Sequence, residues 1–112
     1  MNKANKKQYR QGDVLLECID SIQAGAKKRE SNVVALGEAS NHGHFFYGGQ
    51  LFDVLDKLFI EVETDAELRH LDIYTLEQTS DHLTLAIPKG KYRVIHQREF
   101  DPYTKTINSL RD

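Results

Sequence analysis

Short apolar runs, separated by glycine, proline and polar residues, recur along this chain about every ten residues. Within 58–63, Leu58, Ile60 and Val62 occupy every second position, which is the repeat of a β-strand with a buried face. The pattern predicts a mainly β fold, a small single-domain β-barrel or β-sandwich of about seven to nine short strands. The predicted strands include 14–19, 33–36, 44–47, 50–55, 58–63, 82–87 and 91–100.

Turn-forming residues set the boundaries between these strands. Gln11-Gly12-Asp13 predicts a turn before 14–19, and Pro88-Lys89-Gly90 predicts another before the last long strand. Gly48-Gly49 separates two apolar and aromatic runs, and such a pair suits a tight turn whose central residues have positive φ. We therefore expect 44–47 and 50–55 to pair with each other as a β-hairpin.

The segment 64–79 fits two structures. Thr64 and Glu67 have the spacing of a capping box, the arrangement that opens many helices. Leu71 and Ile73 instead alternate with polar residues, as they would in a strand with one buried face. We favour the strand, and the helix stays open as the alternative.

The length of 112 residues suits one domain with a modest core. We expect a flexible tail over 1–8 and a single β-rich domain over 9–112, in which the polar segment 20–32 forms an exposed loop. Fifteen Lys and Arg against seventeen Asp and Glu give a net charge of −2, so no overall positive field attracts nucleic acid. Cys18 is the single cysteine, which excludes a disulfide framework, and we expect it in the core.

The histidines carry the candidate chemistry. His42 and His44 are two residues apart, and in a strand this spacing places both imidazoles on one face. His82 lies just before the Pro88-Lys89-Gly90 turn and joins them if the sheet folds back, while Glu38 and His70 are further candidate ligands. Such a set suits a divalent metal: zinc, or iron or manganese if a carboxylate and water take part.

Three interpretations of these residues stay open. The predicted metal site consists of His42, His44, His82 and Glu38. His44 or His82 could instead act as a metal-free acid–base group near pH 7. The third interpretation is a glycine-rich turn with exposed histidines. His70 and His96 are each predicted as ordinary strand or surface histidines, and no catalytic residue is assigned.

Two family resemblances are carried by these motifs. Gly37, His42 and His44, with the later Pro88-Lys89-Gly90, weakly resemble the two motifs of the cupin superfamily. The chain more closely resembles a family of small uncharacterised bacterial and phage proteins with a GHxH, LPxGxYxV and QRE(Y/F) pattern. The matching segments are Gln11-Gly12-Asp13-Val14-Leu15, 37–44, Asp81-His82, 87–94 and Gln97-Arg98-Glu99-Phe100. This resemblance supports the location of the site and implies no activity.

The leading hypothesis is a small soluble β-rich protein with a histidine metal site and unknown activity. The alternative is a non-catalytic interaction module, such as a phage or mobile-element accessory or inhibitor protein. It would bind a protein partner or itself through a strand edge or the aromatic run Phe45-Phe46-Tyr47. The basic and aromatic residues after 88 are interrupted by acids, so nucleic-acid binding is disfavoured. No secretion signal or membrane span is evident, so we expect a cytoplasmic protein without membrane contact.

Overall fold

The structure is a computed structural model and describes residues 7–37 and 41–96. This part of the chain contains ten β-strands and no helix, which confirms the predicted mainly β class with somewhat more strands than expected. The strands are β1 (Gln8–Gln11), β2 (Val14–Ile19), β3 (Lys27–Arg29), β4 (Val33–Leu36), β5 (His42–Tyr47), β6 (Gln50–Val54), β7 (Lys57–Val62), β8 (Ala66–Asp72), β9 (Leu85–Ile87) and β10 (Gly90–His96).

The strands form two antiparallel sheets. One has the order β1-β2-β10-β7-β6-β3 and the other the order β4-β5-β8-β9. Buried side chains from both sheets make one hydrophobic core, in which Leu16, Ile60 and Tyr92 of the first sheet join Phe46 and Leu68 of the second. Burying each such side chain contributes roughly 1.5–3 kcal/mol. The choice between a barrel and a sandwich stays a prediction.

The prediction that the strands on either side of Gly48-Gly49 pair with each other is wrong. Both strands exist, but β5 pairs with β4 and β8, whereas β6 pairs with β7 and β3, so the chain passes between sheets at this point. Gly48 has φ +92°, and a Cβ there would stand 2.7 Å from the carbonyl oxygen of Asp65. Gly48 therefore allows a close approach to the start of β8, and the glycine pair does not fold β5 back on β6.

The aromatic run is also placed differently from the prediction. Phe45 and Phe46 are 7% and 1% exposed, and the guanidinium carbon of Arg69 lies 4.1 Å from the ring centroid of half-buried Tyr47. The two phenylalanines consequently belong to the interior and offer no adhesive surface. Whether the protein has a partner or self-associates stays a prediction.

The ambiguous segment 64–79 is a strand at its centre. Ala66–Asp72 forms β8, as favoured, and the alternative helix is not formed between Thr64 and Thr79. Asp72 then accepts hydrogen bonds from the backbone N–H groups of Tyr74 and Thr75, at 2.8 and 2.9 Å, and these end the strand in a tight turn.

Several predicted boundaries change. The strand expected at 82–87 is formed only by Leu85–Ile87, so His82 lies in a loop, and the expected loop 20–32 contains β3. β1 begins at Gln8, and 1–6, Glu38 and 97–112 lie outside the described residues. Cys18 packs against the core but is only half-buried, so it is less buried than predicted.

Candidate metal centre

The core-facing rows of β5 and β8 end in histidines. In β5, His42 and His44 precede Phe46 at two-residue spacing, and in β8, His70 follows Leu68 at the same spacing. The register sets His44 directly opposite His70. Because side chains two residues apart share a face, the same inward face that buries phenylalanine and leucine carries imidazoles at the sheet's end.

Four imidazole rings meet here and form what we call the histidine cluster: His42, His44, His70 and His82. The ring of His70 is central, with its centroid 5.3 Å from that of His42, 4.8 Å from that of His44 and 4.7 Å from that of His82. His44 and His70 are only 6% and 7% exposed. The cluster therefore has a buried inner pair, His44 and His70, and a half-buried outer pair, His42 and His82, at the margin of the hydrophobic core.

His82 reaches the cluster from the loop before β9. Its backbone carbonyl accepts a hydrogen bond of 2.8 Å from the side-chain amide of Gln78, which holds the loop in place. Its ring lies against Gly12, where a Cβ would stand 2.8 Å from Nε2 of His82. The turn between β1 and β2 is thus one wall of the site.

Gln11 determines which nitrogen of His44 carries a proton. The side-chain amide nitrogen of Gln11 donates to the backbone carbonyls of Leu68 and Leu83, at 2.8 Å each. The amide oxygen therefore faces Nδ1 of His44, at 2.8 Å, and can only accept. It follows that Nδ1 of His44 is protonated and that Nε2 carries a lone pair.

His70 is held in a comparable way. Its Nδ1 is hydrogen-bonded to the hydroxyl of Thr79, and its backbone carbonyl accepts from the backbone N–H of Thr79 at 3.0 Å. Nε2 is the nitrogen that remains available for a ligand. Such outer hydrogen bonds are the usual way in which a metal-binding histidine is oriented.

Two carboxylates border the cluster. Oδ2 of Asp81 lies 3.2 Å from Nδ1 of His42, and Oδ1 of Asp13 lies 3.6 Å from Nε2 of His44. One donor atom each from His42, His70 and Asp81 lie within 4.8 Å of one another, close enough for the three groups to share an ion.

Burial keeps the inner rings neutral. It lowers the pKa of His44 to about 4, and the neighbouring His70 acts in the same direction. The pKa of His70 is lowered as well, first by burial and then by His82 and His42. Neutral imidazole is the form that binds metals, so at neutral pH these rings need no deprotonation before they can act as ligands.

Comparison with known proteins identifies the family of the chain. Residues 10–97 match the model of a family described as Domain of unknown function (DUF8820). The chain belongs to this family. No curated protein and no solved structure matched it. All four cluster histidines and both bordering carboxylates of this DUF8820 domain lie within the matched region.

Of the residues predicted to bind metal, the structure brings His42, His44 and His82 together. Glu38 lies outside the described residues. His70, expected to be an ordinary surface or hydrogen-bonded histidine, is instead the centre of the cluster, and its signal was the two-residue spacing from Leu68 in β8. Metal binding by this set stays a prediction.

Sequence reasoning missed Gln11, Asp13 and Asp81 as parts of the site. The Gln11-Gly12-Asp13 turn was predicted, but its contact with β8 and with His82 depends on the tertiary fold. His96 is exposed at the end of β10.

Two further findings bear on other functions. Arg93, one of the basic residues considered for nucleic-acid binding, donates a hydrogen bond to Oε1 of Glu17 at 2.6 Å. In the part of the chain that the structure describes, no helix is long and apolar enough to cross a membrane.

Proposed function

We propose that this protein binds a first-row divalent metal ion, with His42, His70 and Asp81 as its ligands. The observation that carries the proposal is that donor atoms of these three side chains lie within 4.8 Å of one another. Two ligands at about 2.1 Å from one ion lie at most about 4.2 Å apart, so small side-chain rotations bring the three into contact with it.

The surroundings support a ligand role over a purely structural one. Buried polar rings are costly unless they are paired, and the ring of His70 lies against three other imidazoles. Outer hydrogen bonds fix His44 and His70 and direct one nitrogen of each ring away from its protein partner. These are the nitrogen atoms through which the two rings would bind a metal ion.

The donor set narrows the class of metal. Imidazole nitrogen and carboxylate oxygen suit zinc, iron or manganese, while calcium and magnesium prefer all-oxygen sites. Three protein ligands leave a coordination position for water, which is the arrangement of catalytic zinc sites and not of closed structural ones. Hydrolytic or oxidative chemistry is therefore a reasonable class to screen, and no substrate is assigned.

Elemental analysis of protein prepared without a histidine tag tests the proposal. We expect near-stoichiometric zinc, iron or manganese in the wild type and its loss in a His42→Ala/His70→Ala variant. His96→Ala is the matched control, because this exposed histidine is outside the cluster, and it should keep its metal. Circular dichroism confirms that each variant is folded. Folded wild type that contains no metal, even after zinc is added, would contradict the proposal.

A further inference from the structure

We propose that a second divalent metal ion binds between Nε2 of His44 and the carboxylate of Asp13, with His82 as its third ligand. This site adjoins the ion held by His42, His70 and Asp81 and makes the cluster a two-metal centre. The inference rests on the proposed function, because both ions share the same group of four imidazoles.

The first argument is that two hydrogen-bond acceptors face each other. Gln11 places the proton of the neutral His44 ring on Nδ1, so Nε2 presents only a lone pair. That lone pair is 3.6 Å from Oδ1 of Asp13, a distance too long for a hydrogen bond. An acceptor nitrogen beside a carboxylate oxygen is unfavourable unless a hydrogen-bond donor or a cation lies between them, and a divalent cation can bind both atoms at once.

The separation also suits coordination. Two ligands at about 2.1 Å from an ion lie about 3.4 Å apart across a tetrahedral angle. The distance of 3.6 Å between Nε2 of His44 and Oδ1 of Asp13 is close to this value. Asp13 is in a turn and its side chain is 53% exposed, so it can adjust to an ion without disturbing the core.

His82 is placed to complete the set. Its Nε2 stands next to Gly12, one residue before Asp13 along the chain, and its ring centroid is 6.1 Å from that of His44. The glycine leaves the space that this nitrogen occupies. His82 therefore lies beside the turn that carries Asp13, at the end of the cluster where Asp13 approaches His44.

The number of donors favours two ions over one. The cluster and its carboxylates provide six side chains, whereas a zinc ion binds four ligands, of which three are protein groups when water is the fourth. Each carboxylate is associated with a different histidine, Asp81 with His42 and Asp13 with His44. Two ions with three protein ligands each use all six groups, and two-metal sites place such ions about 3.5–4 Å apart.

Metal stoichiometry tests this inference. Wild-type protein is stripped with a chelator, titrated with Zn²⁺, and examined by native mass spectrometry together with elemental analysis. We expect two zinc ions per chain. Asp13→Ala should hold one ion, with the affinity for the second lowered about 100-fold or more. Asp56→Ala is the matched control, because Asp56 has the same position in the two-residue turn between β6 and β7, and it should keep both ions.

The outcomes are distinguishable. One ion in the wild type overturns the second site and leaves the proposed function intact, whereas no ion overturns both. Two ions retained by Asp13→Ala overturn the assignment of the site to Asp13. Because this side chain is exposed, its removal should leave the fold unchanged, and circular dichroism checks that it does.

Discussion

Two turns of the same kind lie at different places in this molecule. Gly12-Asp13 joins β1 to β2, and Leu55-Asp56 joins β6 to β7, each as a two-residue link between antiparallel strands. Their first residues have nearly the same left-handed backbone, with φ +60° at Gly12 and +56° at Leu55. One turn has glycine at this position and the other has a leucine that is 93% exposed.

The difference shows what Gly12 is for. Leu55 demonstrates that a turn of this kind accepts a side chain at its first residue, at a cost of about 1 kcal/mol for the left-handed conformation. The conformation alone therefore does not require glycine at position 12. A Cβ on Gly12 would lie 2.8 Å from Nε2 of His82, whereas Leu55 points into solvent. We infer that the glycine keeps room for the imidazole.

The largest predicted effect concerns Gln11, the residue just before the Gly12-Asp13 turn. Replacing Gln11 with leucine leaves two backbone carbonyls and Nδ1 of His44 without their partner, so we expect a loss of about 3 kcal/mol in the free energy of unfolding. Gln50→Leu is the control, because Gln50 also donates to two carbonyls but is only half-buried, and it should cost about 1 kcal/mol. Urea unfolding of the metal-free proteins measures both. Equal losses of stability in the two variants would mean that the hydrogen bonds of Gln11 contribute no more than those of Gln50.

Acid should destabilise the histidine cluster at a higher pH than it destabilises the ion pair of Arg29 with Asp53, which lies on β3 and β6. The unfolded chain protonates histidine below about pH 6.5, while burial lowers the pKa of His44 to about 4 in the folded protein. The stability due to a neutral His44 is complete above pH 6.5 and is lost as the pH falls towards 4. By pH 5 the loss is about 2 kcal/mol for the metal-free protein.

The ion pair between Arg29 of β3 and Asp53 of β6 serves as the comparison for this acid effect. Arg29 donates to Asp53 at 2.8 Å and lowers the pKa of that carboxyl below its ordinary value of 3.8. The contribution of Asp53 is present above pH 3.8 and is lost only below it. Urea unfolding at pH 7, 5 and 3.5 should show wild type and Asp53→Asn losing equal stability between pH 7 and 5. A wild type equally stable at pH 7 and 5 would refute the role of His44.

The smallest predicted effect comes from the turn residues themselves. Gly12→Ala should cost about 1 kcal/mol, because alanine is strained at positive φ, and should weaken zinc binding about tenfold by displacing the His82 ring. Leu55→Ala should change neither quantity, since its side chain contacts solvent. Calorimetric zinc titration and urea unfolding measure both variants. Unchanged zinc affinity in Gly12→Ala would mean that the glycine has no part in the site.

The local pattern predicted much of the fold. The apolar run at 14–19, the short run at 33–36 and the alternation at 58–63 all correspond to strands, because apolar residues mark each of them in the sequence. β3 has the sequence Lys-Lys-Arg and no such signal. It is held by backbone pairing to β6 and by the ion pair of Arg29 with Asp53, which only the assembled sheet reveals.

The local pattern did not predict which strands pair or which carboxylates border the histidine cluster. Gly48-Gly49 marks a turn, but the choice of β8 for β5 and β7 for β6 depends on packing between distant segments. The two-residue spacing correctly predicted that His42 and His44 share a face. Asp13 joins His44 through a fold that brings together groups about 30 residues apart in sequence, and no local spacing reports that contact.

The hydrogen bonds of Gln11 have a consequence for how the protein folds. They span 57 and 72 residues of sequence, from the edge strand of one sheet to β8 and the loop before β9 of the other. Contacts between such distant residues carry a large loop-closure cost and tend to form late. The orientation of His44 is therefore set only when both sheets have docked. A metal ion would bind there only after both sheets have packed together. It would therefore stabilise the folded chain and slow its unfolding.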